Sequence, residues 1–196
     1  MVITLYADRR FHEVTDIAVH LASAIVPLVD PARVLLVSAR PPIDVVGTDV
    51  AGASAVGTGL ARAYLDEAGV TRDIGEILRG TAGRHAVTVV AVVGAPSPQV
   101  LTALDVADRV LLVSDASVPS LRATQRAIKL CASLGYGLDK VAVVLHDFTE
   151  HAPLAPGEVA RALKREIFWV IPGPAADPPR RTDSFARLAQ RLTSMR

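Results

Sequence analysis

The sequence predicts an α/β fold, a three-layer, doubly wound and mostly parallel sheet flanked by helices, and two observations predict it. The first is a series of short, almost continuously apolar runs rich in β-branched residues: Val2 to Tyr6, Arg33 to Val37, Val87 to Val93, Arg109 to Val113, Val141 to Leu145 and Phe168 to Ile171. Runs of this length without polar alternation are expected of strands buried on both faces. The second is that the segments between them carry helical rather than strand periodicity. Strands alternating with helices imply right-handed crossovers and a parallel sheet.

In chain order, Val14, Ile17, Ala18, Leu21, Ala22 and Ile25 recur at the spacing of one helix face, so the first two strands and this helix form a β-α-β unit. The stretch from Pro41 to Gly59 is rich in Gly, Ala and Asp and reads as an irregular connection. Helices are expected around Gly59 to Ala68 and Gln99 to Leu104. A longer one follows Ser117 and Pro119, a cap followed by a helix-starting proline, and Gly135 stands where it would stop. Another helix is expected over Glu158 to Arg165. The Pro-rich stretch from Ile171 to Arg181 reads as a loop leading to a last helix over Ser184 to Leu192. In such a sheet, ligands bind beyond the carboxyl ends of the strands.

Composition sets the outer bounds. At 196 residues and 51% hydrophobic, the chain suits one domain spanning 1–196 with a single well-filled core. Every apolar run is interrupted well before the roughly 20 residues needed to cross a bilayer. The N-terminal MVITLY lacks the features of a secretory signal, and the lone Cys131 cannot form an intrachain disulfide, so a reducing cytoplasm is the expected setting. With 21 basic and 20 acidic residues, the net charge of +1 gives no general attraction to nucleic acid. The histidines at 12, 20, 85, 146 and 151 show no metal-site spacing, so no metal is expected. No G-x-S-x-G elbow marks a serine hydrolase.

The segment ALDVADRVLLVSDASVPSLRATQRAIKLCASLGYGLDKVAVVLHDF resembles the second half of the MinD/ParA group of P-loop ATPases, and within it the TadZ/CpaE proteins of Tad-type pilus assembly. VITLYADRRFHEVTDIAVHLASAI takes the place of that family's first strand, phosphate loop and first helix, and ARVLLVSAR that of its second strand. The resemblance implies a P-loop NTPase-like fold, in whose active members ATP held between subunits drives dimerisation.

At the positions that would hold the nucleotide, the residues depart from the family. A phosphate loop needs glycines, so that successive N–H groups converge on the phosphates, and a lysine to neutralise them. The matching stretch runs Arg9, Arg10, Phe11, His12, Glu13, Val14, Thr15, with Val14 at the lysine position and only Thr15 keeping the magnesium-binding hydroxyl. By the same resemblance, Ser38 stands for the acidic residue ending the second strand, Arg40 for a nearby Asp, Ala91 for the Walker-B aspartate and His146 for the adenine-reading asparagine. Loss of ATPase activity is therefore expected, with no catalytic residue and no cofactor.

Each of these residues also has an ordinary reading. Val14 lies on the apolar helix face and reads as core, and Arg9 and Arg10 as solvated arginines. As functional readings, Arg9, Arg40 and Asp115 are candidate contacts to an anion or other ligand, and His146 with Asp147 and Asp115 a candidate acid–base group at the strand ends. The last helix sets Phe185, Leu188, Ala189, Leu192 and Met195 on one side; packing on the domain is favoured over membrane contact through Ser184 to Met195. The expected function is a non-catalytic dimerising scaffold or localisation factor with a homodimeric or other protein partner. The alternatives are a small-molecule site or enzyme reusing the strand-end cleft, and a partition-type DNA binder.

Overall fold

The fold is that of a computed structural model, which describes residues 1–8, 13–29, 34–38, 60–64, 66–67, 70–71, 73–81, 84–148, 154–173 and 178–195. Arg9, Arg10 and Arg40 lie outside the described residues, as does the whole irregular stretch from 41 to 59.

Seven strands form one sheet: β1 (Val2–Ala7), β2 (Val34–Ser38), β3 (Leu60–Tyr64), β6 (Val87–Val93), β7 (Arg109–Ser114), β8 (Val141–Phe148) and β9 (Ile167–Pro172), in the order β3-β2-β6-β1-β7-β8-β9. Every adjacent pair is parallel. Two short strands, β4 (Asp66–Glu67) and β5 (Val70–Thr71), form a separate antiparallel ribbon. Among the described residues the α-helices are α1 (Glu13–Ile25), α2 (Ile74–Thr81), α3 (Pro98–Asp105), α4 (Val118–Ser133), α5 (Pro156–Leu163) and α6 (Pro178–Ser194).

Alternation along the strands divides the core between the two faces of the sheet. Ile3, Leu5, Val34, Leu36, Val89, Ala91, Leu111 and Val113 pack with α1 and α6, through Val14, Ile17, Leu21 and Ile25 of the first helix and Phe185, Leu188 and Leu192 of the last. Tyr6, Leu35, Val37, Val90, Val92, Val110 and Leu112 point the other way, to Ile74 of α2, Val100 and Leu104 of α3, Leu121 and Cys131 of α4, and Val159 and Leu163 of α5. The strands are apolar without alternation because both faces are covered.

α4 shows how local chemistry sets an element's limits. The Ser117 hydroxyl accepts from the Ser120 N–H at 3.4 Å, and Pro119 occupies the first turn, where no N–H is needed. At the other end Gly135 takes φ +77, and the N–H groups of Gly135 and Tyr136 reach Ala132 and Cys131 carbonyls at 3.0 Å each. This is the left-handed stop that a glycine makes without a Cβ clash.

The structure corrects the expected elements in three places. Leu60–Tyr64 is a strand, paired with β2 from Leu60 opposite Val34 to Tyr64 opposite Ser38, and Asp66–Glu67 belongs to the ribbon; the helix expected over Gly59 to Ala68 is absent there. The open edge of β2 accepts backbone pairing that a helix would leave unmet, so tertiary pairing overrides the helical spacing. α2 was unforeseen. The last helix begins at Pro178 rather than Ser184, since prolines fit a first turn, and β9 runs on to Pro172, so both ends of the loop expected over Ile171 to Arg181 belong to regular elements.

Candidate functional site

The fold itself points to one crevice. α1 leaves β1 towards one face of the sheet and leads to β2 on one side, whereas α4 leaves the neighbouring β7 towards the other face and leads to β8 on the other side. Beyond the carboxyl ends of β1 and β7 the two connections diverge, which is the topological switch point where doubly wound sheets bind ligands.

Side chains of this chain occupy that crevice. Asp8, the first residue after β1, has a side chain only 12% exposed, and the Arg126 Nε of α4 donates to its Oδ2 at 2.8 Å. The pair spans the switch point. Beneath it the Tyr6 hydroxyl donates to the Gly94 carbonyl at 3.1 Å, and the Gly94 N–H continues the ladder to Ala7 at 2.9 Å. Burial pushes the Tyr6 phenol well above its ordinary range, with the Asp8 carboxylate adding to the rise and Arg126 opposing it. Gly94 has φ +111, a conformation that turns the chain away from the end of β6 and that L side chains resist.

The residues expected at the site fall into distinct places. Val14 is fully buried among the α1-side core. Thr15 follows it, half-buried. Ser38 ends β2 and is buried, in register with Ala91. Ala91 itself lies inside β6, opposite Leu5, with its methyl in the core beneath α1. Gly94, three residues further on, is the residue that follows β6 and meets Tyr6 at the crevice. In a strand of repeated valines and alanine, only the register against β1 distinguishes the two.

Asp115 and His146 come close in the ladder, being the next residues after the Ser114–Leu145 pair. Asp115 is half-buried, and its bonds belong to the start of the following helix. The Asp115 carboxylate accepts from the Ser117 N–H at 2.7 Å, its own N–H donates to the Ser120 hydroxyl at 3.1 Å, and Ser120 also bonds Ser114 at 3.1 Å. Asp115 thus organises the entry to α4. His146 is 3% exposed. The sequence reading missed Asp8, Tyr6, Gly94 and Arg126; the signal was present in Asp8 as the first charged residue after β1, but Arg126 is distant in sequence.

Among the described residues no group of His, Cys, Asp or Glu is placed to hold a metal, and no helix is long and apolar enough to cross a membrane. The apolar side of α6 is spent on the core, where Leu188 and Ala189 are fully buried.

No protein-family model matches the chain, and neither does any curated protein. Solved structures do. The cell-division ATPase MinD of Pyrococcus furiosus matches with a TM-score of 0.74 at 14% identity, over 100% of this chain and 99% of that one. MinD in the MinC:MinD cell division complex of Aquifex aeolicus matches at 0.71 and 17% identity, over 98% and 96%. A ParA family ATPase of Chlorobium tepidum matches at 0.72 and 14% identity, over 96% and 98%. The chain has the α/β fold of the MinD/ParA P-loop ATPases across its whole length.

Proposed function

We propose that the chain is a MinD/ParA-like pseudo-ATPase: a dimerising scaffold or localisation factor, in Tad-type pilus assembly or cell-pole organisation, that acts by surface recognition and uses no nucleotide or other cofactor. The observation that carries this reading is the Asp8–Arg126 pair across the switch point. Where this fold would receive a triphosphate, it presents a largely buried carboxylate, whose charge repels phosphate, and an arginine already bonded to it. Val14 supports the same reading, because an apolar side chain locked in the core supplies nothing to a phosphate. A protein partner is in keeping with the fold, as the similar MinD of Aquifex aeolicus is found in a complex with MinC. Without nucleotide to drive it, the association is constitutive or supplied by the partner.

Thermal unfolding with and without millimolar Mg-ATP or Mg-ADP tests the nucleotide part. A ligand at a hundred times its Kd adds about 2.7 kcal/mol to stability. No shift in Tm and no release of phosphate are expected, and a clear shift overturns the pseudo-ATPase reading. Light scattering at rising concentration tests the homodimer, which fails if the protein stays monomeric throughout.

A further inference from the structure

Among the described residues β9 pairs only with β8, so its far side is an edge of the sheet. The unpaired N–H and C=O groups of an edge form a template on which another strand can pair. In β9 that template is apolar: the strand reads IFWVIP, and Ile167, Phe168, Trp169 and Val170 are half-buried rather than covered. Short uncharged segments rich in β-branched and aromatic residues are those that pair with copies of themselves.

The strand is irregular where it is most apolar. Its register against β8 jumps from Val143 opposite Ile167 to Val144 opposite Trp169, so Phe168 is an extra residue. Alternation breaks there: Phe168 and Trp169 both lean on the core beneath α1 and α6, whereas Ile167 and Val170 pack on the other face. A bulge of this kind bends and twists its strand, which already makes the edge a poor match for a straight partner.

Side chains of α6 then close on the same residues. Arg191 Nη1 donates to the Phe168 carbonyl at 3.2 Å, and its guanidinium lies 4.3 Å from the centre of the Phe168 ring and 6.0 Å from that of Trp169. Two turns back, the Ser184 hydroxyl donates to the Val170 carbonyl at 3.4 Å and accepts from the Trp169 indole N–H at 3.0 Å. Arg191 is itself exposed, and it is held in place because its neighbours Leu188 and Leu192 are locked in the core. A guanidinium suits this place better than an ammonium, since its flat face stacks on a ring while its N–H groups reach a carbonyl.

We propose that Arg191 guards this edge: it keeps β9 closed to strand addition, so that the sheet does not continue through β9 into a second copy of the chain. A strand arriving at β9 has to bury or displace a charge that is stacked on two aromatic rings and bonded to the backbone it would pair with, and burying an unpaired charge is costly. A dimer of this chain is then joined at a surface other than β9, whether or not the crevice takes a nucleotide.

Sedimentation velocity of the full chain at rising concentration tests this. Arg191→Ala, a change on the exposed side of α6, is expected to add species of twice the wild-type mass or more, whereas Arg187→Ala, one turn away, leaves the mass as it is in the wild type. Phe168→Lys in the Arg191→Ala background puts a charge back on the edge and is expected to remove those species. A fluorescent peptide copying Glu166 to Gly173, with lysines added at both ends, should bind Arg191→Ala about tenfold more tightly than the wild type, and the same peptide N-methylated on alternate amides should bind neither. An Arg191→Ala protein with the wild-type mass and no gain in affinity for the peptide overturns the proposal. So does association that survives Phe168→Lys, or peptide binding that survives N-methylation, since neither then runs through the backbone of the strand.

Discussion

Val14 illustrates how a single position is decided by its surroundings. It lies in the first turn of α1, fully buried against the sheet. Restoring a lysine there does not restore a phosphate site, because the ammonium enters the apolar core packed around this position. Val14→Lys is expected to lower stability on the order of 4 kcal/mol, a fall in Tm of roughly 10 °C, and to gain no Mg-ATP-dependent shift. Differential scanning fluorimetry reads both outcomes at once, and a nucleotide-dependent rise in the variant would refute the argument. The core role of Val14 was legible in the sequence, since it follows from helical spacing alone. The place of Ala91 was not. Within VTVVAVVGAPSP, the spacing leaves open which residue meets the crevice, and only the pairing of Leu5 with Ala91 and Ala7 with Val93 decides it. The Asp8–Arg126 pair was hidden for a related reason: its partners lie on elements joined only by the closure of the sheet.

Elements whose ends carry their own chemistry were legible; elements that depend on a neighbour were not. α4 was foreseen from Ser117, Pro119 and Gly135, and the structure places each of them in the capping or terminating role. β3 was foreseen as a helix because GLARAYLDEA has helical spacing, and it became a strand because β2 offers it an edge. If the termini of α4 are set locally, their contributions to stability should be separable. Ser117→Ala removes the side-chain acceptor at the first turn and should cost about 1 kcal/mol. Gly135→Ala forces a Cβ into φ +77, where open space surrounds it, so the cost is one of backbone strain alone, about 1 kcal/mol. The two ends lie about 24 Å apart along the helix. Urea unfolding of the double variant should therefore give the sum, about 2 kcal/mol, within a few tenths. A large departure would mean that the helix ends communicate through the rest of the fold.

At the scale of the whole molecule, a parallel α/β sheet could be read from the strand and helix rhythm, but the strand order could not. β6 enters between β1 and β2, so two strands adjacent in sequence are separated in space by one from the middle of the chain. The two faces of the sheet are also chemically unequal. The face covered by α2 to α5 holds Tyr6 and Cys131, and Tyr136 packs against its margin. Burial raises the Cys131 thiol above its ordinary 9.0, and it raises both tyrosines well above their ordinary 10.0, Tyr136 further through its bond to Asp105. In each case the folded chain keeps a proton that the unfolded chain releases. A group raised in this way adds stability that is complete below the unfolded value and is lost as pH climbs past it, so stability should begin to fall near pH 9 and fall more steeply above pH 10. Each group contributes at most about 1.4 kcal/mol per pH unit to that slope. Cys131→Ala lowers stability at every pH through the lost sulfur, but it should also remove the part of the slope that begins first, so the wild-type and variant curves draw together as pH rises from 8 to 10. Curves that remain parallel would mean that the buried thiol takes no part in the alkaline transition.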